Sequence, residues 1–243
     1  MNKKGLIISG GTINTSFALQ TLKEVQPDYI IGVDKGLEFL YQNQIVPSHI
    51  VGDFDSANPE IVSYYKEHTT VPIRKFNPVK DASDTEIAVR LALELKVKEL
   101  WILGGTGTRI DHVLANIQVL KIPYDAGVEA YIVDVCNKIS LIGKETCLKK
   151  EDAFGPYFSV FPLGGIVEHF SLEGAKYPLC DHTLCPYDSL CVSNQIQDEE
   201  VRITFPKVGN IDGDKRRRIR VLLLKKGKSM RYDKRDRIGF LTF

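Results

Sequence analysis

The residues best suited to chemistry in this sequence are two aspartates, Asp53 and Asp55, with Phe54 between them. They follow Gly52 and the apolar pair Ile50-Val51, which indicates the end of a buried strand. In an extended chain, alternate side chains point to the same side, so both carboxylates should face outward while Phe54 packs inward. Two carboxylates aimed at one point repel each other unless a cation lies between them, and oxygen ligands suit Mg²⁺. A polar turn after a strand is the alternative interpretation.

A second group of residues that could bind a ligand is the glycine-rich segment 104–109, which reads Gly-Gly-Thr-Gly-Thr-Arg. Backbone N–H groups, the fork-shaped cation of Arg109 and the N-terminus of a following helix all favour a phosphate. The pattern matches neither a Walker loop nor a dinucleotide fingerprint, so a flexible loop is the alternative. The phosphate interpretation is favoured because Asp111 and His112 follow at once.

Three further acidic residues and one lysine extend this inventory. Asp34 follows an apolar run, whereas Asp81 and Asp84 precede a helix that begins with a capping-box pattern. Lys80 either pairs with Asp81 at the surface or reaches a phosphate. Ligands of open α/β sheets bind beyond the carboxyl ends of the strands, where several carboxylates are costly without cations. The inventory therefore predicts a Mg²⁺-dependent enzyme acting on a nucleotide or another polyphosphate.

The elements that must position these residues alternate between strand and helix over the first half of the chain. This alternation predicts an α/β fold with a Rossmann-like parallel sheet between helices. The predicted strands are 6–8, 29–33, 50–51, 71–73, 100–103 and 128–133, and the predicted helices are 15–25, 37–41, 59–65, 87–95 and 113–120.

After about residue 134, short apolar segments separated by glycines predict a small antiparallel β-sandwich domain. The predicted strands of this part are 139–142, 157–161, 167–172, 189–192 and 201–205. We therefore divide the chain into an α/β catalytic domain over 1–135, a β domain over 136–208 and an atypical basic tail over 209–243.

Composition narrows the class of protein. A net charge of +1 over 243 residues gives no overall attraction to nucleic acid or to a membrane surface. Five cysteines, an odd number, predict free thiols and a cytoplasmic location rather than a disulfide framework. A zinc site at Cys180, Cys185 and Cys191 would lack the usual Cys-x-x-Cys pair, so incidental cysteines are preferred. The apolar N-terminal run is too short for a signal peptide or a membrane span.

Several motifs, taken in order, resemble the thiamine pyrophosphokinase family. They are Gly52-Asp53-Phe54-Asp55-Ser56, Asp81-x-x-Asp84-Thr85-Glu86, Gly104-Gly105-Thr106-Gly107-x-Arg109-x-Asp111-His112-x-x-x-Asn116, Glu173-Gly174-x-Lys176-Tyr177-Pro178-Leu179 and Ser193-Asn194. The resemblance implies transfer of the pyrophosphoryl group of ATP to thiamine, giving thiamine diphosphate and AMP, with Mg²⁺ as cofactor. It also implies a homodimer in which thiamine lies between the α/β domain of one subunit and the β domain of the other.

The resemblance also suggests a role for each matching residue. The implied metal ligands are Asp34, Asp53, Asp55 and Asp84, and the implied catalytic residues are Asp53, Asp55, Asp81 and Asp84. The implied ATP-binding residues are Asp34, Lys80, Gly104, Gly105, Thr106, Arg109, Asp111 and His112. The implied thiamine-binding residues are Asp84, Tyr177, Ser193 and Asn194. Our hypothesis for Asp84 is that it accepts the proton of the thiamine hydroxyl, in competition with a purely metal-binding role.

The C-terminal end departs from the family pattern. An apolar strand is expected after Gly209, whereas the chain is polar there and continues with Arg216-Arg217-Arg218. Back-translation allows codons for this segment that, read one base later, encode an apolar ending, so one hypothesis is a frameshifted translation from about Val208. A lineage-specific basic extension is the other hypothesis. If the usual final strand is missing, residues 219–224 are able to replace it, since the run 221–224 is apolar.

Other functions compete with this interpretation. A Mg²⁺-dependent phosphatase would use Asp-x-Asp as nucleophile and acid, but that class carries the pair on its first strand. Two further alternatives are another nucleotide phosphotransferase and a catalytically degenerate member of the family that still binds thiamine. A nucleic-acid-binding module would rest on the basic tail alone, and a solvated charge run is the commoner meaning of such a tail.

Overall fold

The structure, a computed structural model, describes residues 2–75, 82–206 and 220–226, the last segment as backbone only. The two predicted site residues Lys80 and Asp81 lie outside the described residues, and so does most of the basic tail.

The N-terminal part alternates strands and helices, as the sequence predicts. Its strands are β1 (Lys4–Ile8), β2 (Tyr29–Val33), β3 (His49–Gly52), β4 (Ile73–Lys75), β5 (Glu99–Leu103) and β6 (Glu129–Val133). Its helices are α1 (Thr15–Val25), α2 (Gly36–Gln42), α3 (Pro59–His68), α4 (Asp84–Glu94), α5 (Ile110–Val119) and α6 (Lys121–Asp125). The strands are mutually parallel in the order β4-β3-β2-β1-β5-β6, which brings the carboxyl ends of all of them to one edge.

The remaining strands are antiparallel. They are β7 (Asn137–Ile142), β8 (Thr146–Lys149), β9 (Tyr157–Leu163), β10 (Val167–Glu173), β11 (Leu179–Leu184), β12 (Glu200–Thr204) and β13 (Arg220–Lys226). Four of them form a separate sheet in the order β11-β10-β12-β8. The predicted fold class is therefore confirmed, with a parallel sheet between helices followed by an antiparallel β part.

The large sheet continues past the predicted domain boundary at residue 135. Strand β7 pairs antiparallel with β6, and β13 then lies between β7 and β9, which gives a nine-stranded sheet. The expectation that the apolar run 221–224 supplies a strand is confirmed, because this run lies inside β13. The three domain ranges themselves stay a prediction, as does the frameshift hypothesis.

The strands form because their apolar residues are buried on both faces of the sheet. In β1, Ile7 belongs to the core beneath α4, α5 and α6, whereas Leu6 and Ile8 belong to the opposite core beneath α2 and α3. All three side chains are fully buried, and such unbroken apolar runs are typical of parallel strands covered on both sides. A third core, which includes Phe158 and Phe170, lies in the β part.

The sequence prediction differs from the structure in a few elements. The predicted strand 189–192 is wrong, because these residues form turns in which the Val192 N–H donates to the Ser189 carbonyl. Helix α6 and strands β8 and β11 were not predicted. They are short, or polar residues interrupt the apolar pattern from which an element is recognised. The prediction of free thiols is confirmed for all five cysteines. Among the described residues, no helix combines the length and apolarity that a membrane crossing needs.

Candidate functional site

A cleft of about 410 Å³ opens at the carboxyl ends of the parallel strands. Both its volume and its position are typical of ligand sites in open α/β proteins. Its lining comes from the loops after β1, β2, β3 and β5 and from the N-terminal turns of α4 and α5. The predicted site residues that line it are Asp34, Asp84, Gly104, Gly105, Thr106, Arg109 and His112.

Three carboxylates meet at this edge of the sheet. Asp34, Asp53 and Asp84 each offer an oxygen atom, and these three atoms lie within 4.8 Å of one another. Burial of Asp34, together with the hydrogen bond and the negative charge of Asp84, raises the pKa of Asp34 to about 7. The neighbouring carboxylates therefore oppose ionisation of Asp34, and a positive charge placed among them would favour it. A donor set of carboxylate oxygens alone fits Mg²⁺ and not a softer metal.

The backbone around Asp34 holds this carboxylate in place. Asp34 has a left-handed backbone (φ 42°), and its Oδ1 accepts a hydrogen bond from the Phe54 N–H at 3.3 Å. A side chain at Gly52 would place its Cβ 1.9 Å from the same oxygen. Only glycine therefore leaves room at position 52 for the Asp34 carboxylate.

The geometry expected for Asp53 and Asp55 is wrong in one respect. Phe54 has φ 65°, so the chain is not extended there, and the alternation that was expected to put both carboxylates on one side does not apply. Asp55 is exposed, lies outside the three-carboxylate group, and donates its N–H to Asp53 Oδ1 at 3.2 Å. Phe54 itself packs against the core, as predicted. A metal-binding role for Asp55 stays a prediction.

Two glycine-rich loops that line the cleft pack against each other. The Gly11 N–H donates to the Gly104 carbonyl at 2.9 Å, and the Thr12 N–H donates to the Thr106 carbonyl at 2.8 Å. From α5, Asn116 Nδ2 donates to the Gly105 carbonyl at 2.8 Å. These bonds fix the shape of the 104–107 loop before any ligand binds.

The cation predicted to bind phosphate is paired in this structure. The Arg109 guanidinium donates two hydrogen bonds to the Asp111 carboxylate, at 2.7 and 3.2 Å. This hydrogen bonding lowers the pKa of Asp111 to about 2. Both side chains are well exposed, so solvent weakens the pair, and Arg109 can exchange its partner for a phosphate at low cost.

The predicted thiamine-binding residues of the β part do not line this cleft. Asn194 is buried, and its side chain holds the neighbouring Tyr177 backbone. The Tyr177 N–H donates to Asn194 Oδ1 at 3.1 Å, and Asn194 Nδ2 donates to the Tyr177 carbonyl at 2.8 Å. The Tyr177 side chain and Ser193 are exposed beside it. Thiamine binding by these three residues stays a prediction.

Several residues of the cleft were not predicted. The hydroxyl groups of Ser9 and Thr85 are buried and hydrogen-bonded at 2.7 Å, which ties the end of β1 to the start of α4. The glycine-rich loop after Ser9 was the available signal, because it directly follows an apolar strand. Asp134 lies outside the cleft lining and gave no such signal, although it accepts a hydrogen bond from the Thr106 hydroxyl.

The fold and the site together define a class: α/β proteins whose cleft combines clustered carboxylates with glycine-rich loops. Comparison with known proteins identifies the family. The family model described as "Thiamin pyrophosphokinase, catalytic domain" matches residues 21–132. The model described as "Thiamin pyrophosphokinase, vitamin B1 binding domain" matches residues 145–208.

Individual relatives agree with the family models. The chain is 30% identical over 177 residues to the thiamine pyrophosphokinase of Bacillus subtilis, which covers 73% of this chain and 82% of that protein. It is 27% identical over 168 residues to thiamine pyrophosphokinase 1 of rice, covering 65% of this chain and 62% of that protein.

Solved structures give the same result. The crystal structure of the Bacillus subtilis thiamine pyrophosphokinase matches with a TM-score of 0.76 and 26% identity, over 93% of this chain and all of that one (100%). A thiamin pyrophosphokinase family protein from Enterococcus faecalis matches with a TM-score of 0.72 and 26% identity, over 93% and 100% of the two chains. The chain therefore belongs to the thiamine pyrophosphokinase family, and it is an enzyme of the transferase class.

Proposed function

We propose that this enzyme transfers the pyrophosphoryl group of ATP to thiamine and produces thiamine diphosphate and AMP in a Mg²⁺-dependent reaction. The observation that carries the proposal is the group of three carboxylates, Asp34, Asp53 and Asp84. Two of them, Asp34 and Asp84, line the same cleft as the two glycine-rich loops. Membership of the family supports thiamine as the acceptor substrate. The exposed cation of Arg109 at the same cleft supports a phosphate-bearing donor.

The proposed reaction balances without a covalent enzyme intermediate. The hydroxyl oxygen of thiamine bonds to the β-phosphorus, and the bond between that phosphorus and the oxygen shared with the α-phosphate breaks. AMP leaves with the electron pair of the broken bond, and Asp84 accepts the proton of the thiamine hydroxyl. Mg²⁺, held by Asp34, Asp53 and Asp84, would supply positive charge to the transferred phosphates. Asp55 and Asp81 are further candidates for contacts with the ion or the substrates.

Charge neutralisation at the phosphates is the main task of such a site. Arg109 lies at the start of α5 and His112 one turn further along, and both line the cleft. A guanidinium group binds phosphate oxygens in a bidentate fashion, so Arg109 is the stronger candidate for a direct phosphate contact. Asp111 competes with the nucleotide for the Arg109 guanidinium and thereby lowers the affinity of Arg109 for phosphate.

Labelled ATP tests the reaction type. With ATP labelled at the γ-phosphate, the label should appear in thiamine diphosphate, and with ATP labelled at the α-phosphate, it should remain in AMP. Label in thiamine monophosphate together with ADP would contradict the proposal and indicate a simple phosphotransferase. Free phosphate formed without thiamine would indicate a phosphatase. Thiamine binding without any product would indicate a catalytically degenerate member of the family.

We also propose a homodimer in which thiamine contacts the cleft of one subunit and the β part of the other. The proposal is supported by the position of Tyr177, Ser193 and Asn194, none of which lines the cleft of its own chain. Apolar side chains also stand exposed near the cleft, including Ile110 (73% exposed) and Leu114 (56% exposed) on α5. These side chains would be covered by a second copy.

Mixed dimers test this arrangement. Asp84→Asn and Tyr177→Ala subunits, each inactive alone, should regain activity when they are unfolded together and refolded, because one site of each mixed dimer is then intact. No recovered activity in dimers shown to contain both subunits would contradict the shared site. A cytoplasmic location is proposed on the five free thiols, which a reducing compartment would preserve.

A further inference from the structure

The hydroxyl group of Thr106 is hydrogen-bonded to a residue that does not line the cleft. Thr106 lines the cleft in the glycine-rich loop after β5, and its Oγ1 donates a hydrogen bond to Asp134 Oδ2 at 2.6 Å. Asp134 follows β6 and does not itself line the cleft. Any influence of Asp134 on a bound ligand therefore passes through Thr106.

The direction of this hydrogen bond is fixed by the other partners of Asp134. Asp134 Oδ1 accepts hydrogen bonds from the backbone N–H groups of Cys136 and Asn137, both at 2.7 Å. Asn137 Nδ2 donates to both oxygens of the same carboxylate, at 3.0 Å each. An ionised carboxylate only accepts hydrogen bonds, so the proton of this contact must come from Thr106.

A threonine hydroxyl has one proton to donate and two lone pairs that accept. Because Asp134 takes the proton, Thr106 offers only lone pairs to a ligand in the cleft. Phosphate oxygens at neutral pH are also hydrogen-bond acceptors, so no hydrogen bond can form between them and the Thr106 oxygen. Thr106 is therefore unsuited to bind phosphate, although it lies in the segment that the sequence assigns to phosphate binding.

We propose that Asp134 is a positioning residue that turns Thr106 into a hydrogen-bond acceptor for the nucleoside part of the co-substrate. The group received is a hydrogen-bond donor, either a ribose hydroxyl or the amino group of adenine. The proposal rests on the proposed function, since it takes a nucleotide as the ligand of this cleft. It makes the Thr106 side of the cleft a determinant of nucleotide specificity and leaves phosphate binding to other groups.

Calorimetric titration of the full chain tests the proposal, with Mg²⁺ present throughout. The ligands are ATP, its 2′-deoxy and 3′-deoxy analogues, and inosine triphosphate, which lacks the adenine amino group. The variants are Thr106→Val, which keeps the side-chain shape but removes the hydroxyl, and Thr106→Ser, which restores it. Thr70→Val is the matched control, because Thr70 is exposed and does not line the cleft.

We expect wild type to bind one of the three analogues about tenfold more weakly than ATP, the cost of one hydrogen bond. Thr106→Val should bind ATP about tenfold more weakly and lose that discrimination, because both nucleotides then lack the bond. Thr106→Ser and Thr70→Val should discriminate as wild type does. The analogue affected identifies the donor group, so the ribose and the adenine sources are distinguished.

Asp134→Asn provides a second readout. Its amide oxygen would keep the two backbone N–H groups, so its amide nitrogen would donate to Thr106 and free the threonine proton for the ligand. Thr106 would then keep one lone pair instead of two for the ligand, so discrimination should fall in this variant although Thr106 is present. A merely structural defect would instead weaken the binding of all four nucleotides equally.

Three results would overturn the proposal. The first is that Thr106→Val still discriminates between ATP and the analogue as wild type does. The second is that this variant binds all four nucleotides more weakly by the same factor. The third is that it loses affinity for Mg²⁺ and keeps its discrimination among nucleotides. The outcome is separable from the proposed function. Wild type that discriminates among nucleotides but forms no thiamine diphosphate would refute the function alone, and turnover with unchanged discrimination would refute this inference alone. Absence of nucleotide binding would refute both.

Discussion

Single residues of the acidic group decide how this site responds to pH. The pKa of Asp34 is raised from 3.8 to about 7, so the folded protein holds this proton more tightly than the unfolded chain does. The resulting contribution to stability is complete below pH 3.8 and is lost as the pH rises through about 7. The metal-free protein therefore carries an unfavourable charge cluster above neutral pH, which a bound cation would relieve.

Asp34→Asn removes the titrating group from this cluster. With a chelator present, we expect the thermal midpoint of wild type to fall between pH 5 and pH 8 more than that of the variant. Mg²⁺ should raise the midpoint of wild type at pH 8 but not that of the variant, because bound metal stabilises only the state that holds it. Asp152→Asn, at an exposed position of the β part, is the control. Equal pH dependence of wild type and Asp34→Asn would contradict the account.

Asp84 is assigned both to the metal and to the thiamine proton. Asp84→Asn should reduce turnover at least about a hundredfold, the usual minimum for a lost general base or ligand. The measurement is turnover at saturating ATP and thiamine over a range of Mg²⁺ concentrations. Near-normal turnover at saturating Mg²⁺ would show that Asp84 has neither role.

At the residue scale, the sequence predicted most of the acidic group but not its geometry. Asp34, Asp53 and Asp84 were identified from their positions after apolar runs and before a capped helix. The separation of Asp55 was not predictable, because it follows from the left-handed backbone of Phe54, which bulky residues seldom adopt. Asp134 was missed since its partner, Thr106, is distant in sequence.

At the scale of elements, the turn after β3 is shaped by one glycine. A methyl group at position 52 would collide with the Asp34 carboxylate, so Gly52→Ala should displace Asp34 and weaken Mg²⁺ binding. Calorimetric titration with Mg²⁺ measures this effect. Gly127→Ala is the control, because Gly127 has a left-handed backbone (φ 71°) but open space around its Cβ position. The control should lose stability and retain Mg²⁺ affinity, whereas retained affinity in Gly52→Ala would refute this role for the glycine.

Most elements of the α/β part were predictable because the strands are unbroken apolar runs and the helices repeat apolar residues at helical spacing. The predicted helix 15–25 agrees with α1, whose first turn is capped by Asn14 accepting from the Phe17 N–H. Strand β11 was missed because Asp181 and His182 interrupt its apolar pattern. Buried Cys191 lies in a turn rather than a strand, which shows that burial alone does not specify an extended backbone.

At the scale of the whole molecule, β13 joins two parts of the chain. It forms hydrogen-bonded ladders with both β7 and β9, although β9 precedes it by more than fifty residues. Sequence periodicity cannot specify such a pairing, because register between distant strands depends on the completed sheet. The apolar run was recognisable in the sequence, but its place between β7 and β9 was not.

Truncation tests the contribution of β13. A chain that ends at residue 206 lacks this strand, so β7 and β9 lose their shared partner and expose unpaired backbone groups. We expect lower thermal stability and aggregation, followed by light scattering and by the fluorescence of Trp101, the single tryptophan. A chain that ends at residue 226 keeps β13 and should behave as the full chain does. Equal stability of the two truncated chains would show that β13 is dispensable.

The central claim is that Asp34, Asp53 and Asp84 form the metal centre at which pyrophosphoryl transfer occurs. The most direct measurement quantifies thiamine diphosphate and AMP together, for wild type and Asp53→Asn, with and without Mg²⁺. The account predicts equal amounts of both products from wild type with Mg²⁺, and neither product without Mg²⁺ or from the variant. Thiamine diphosphate formed at the wild-type rate by Asp53→Asn, or without a divalent cation, would contradict it.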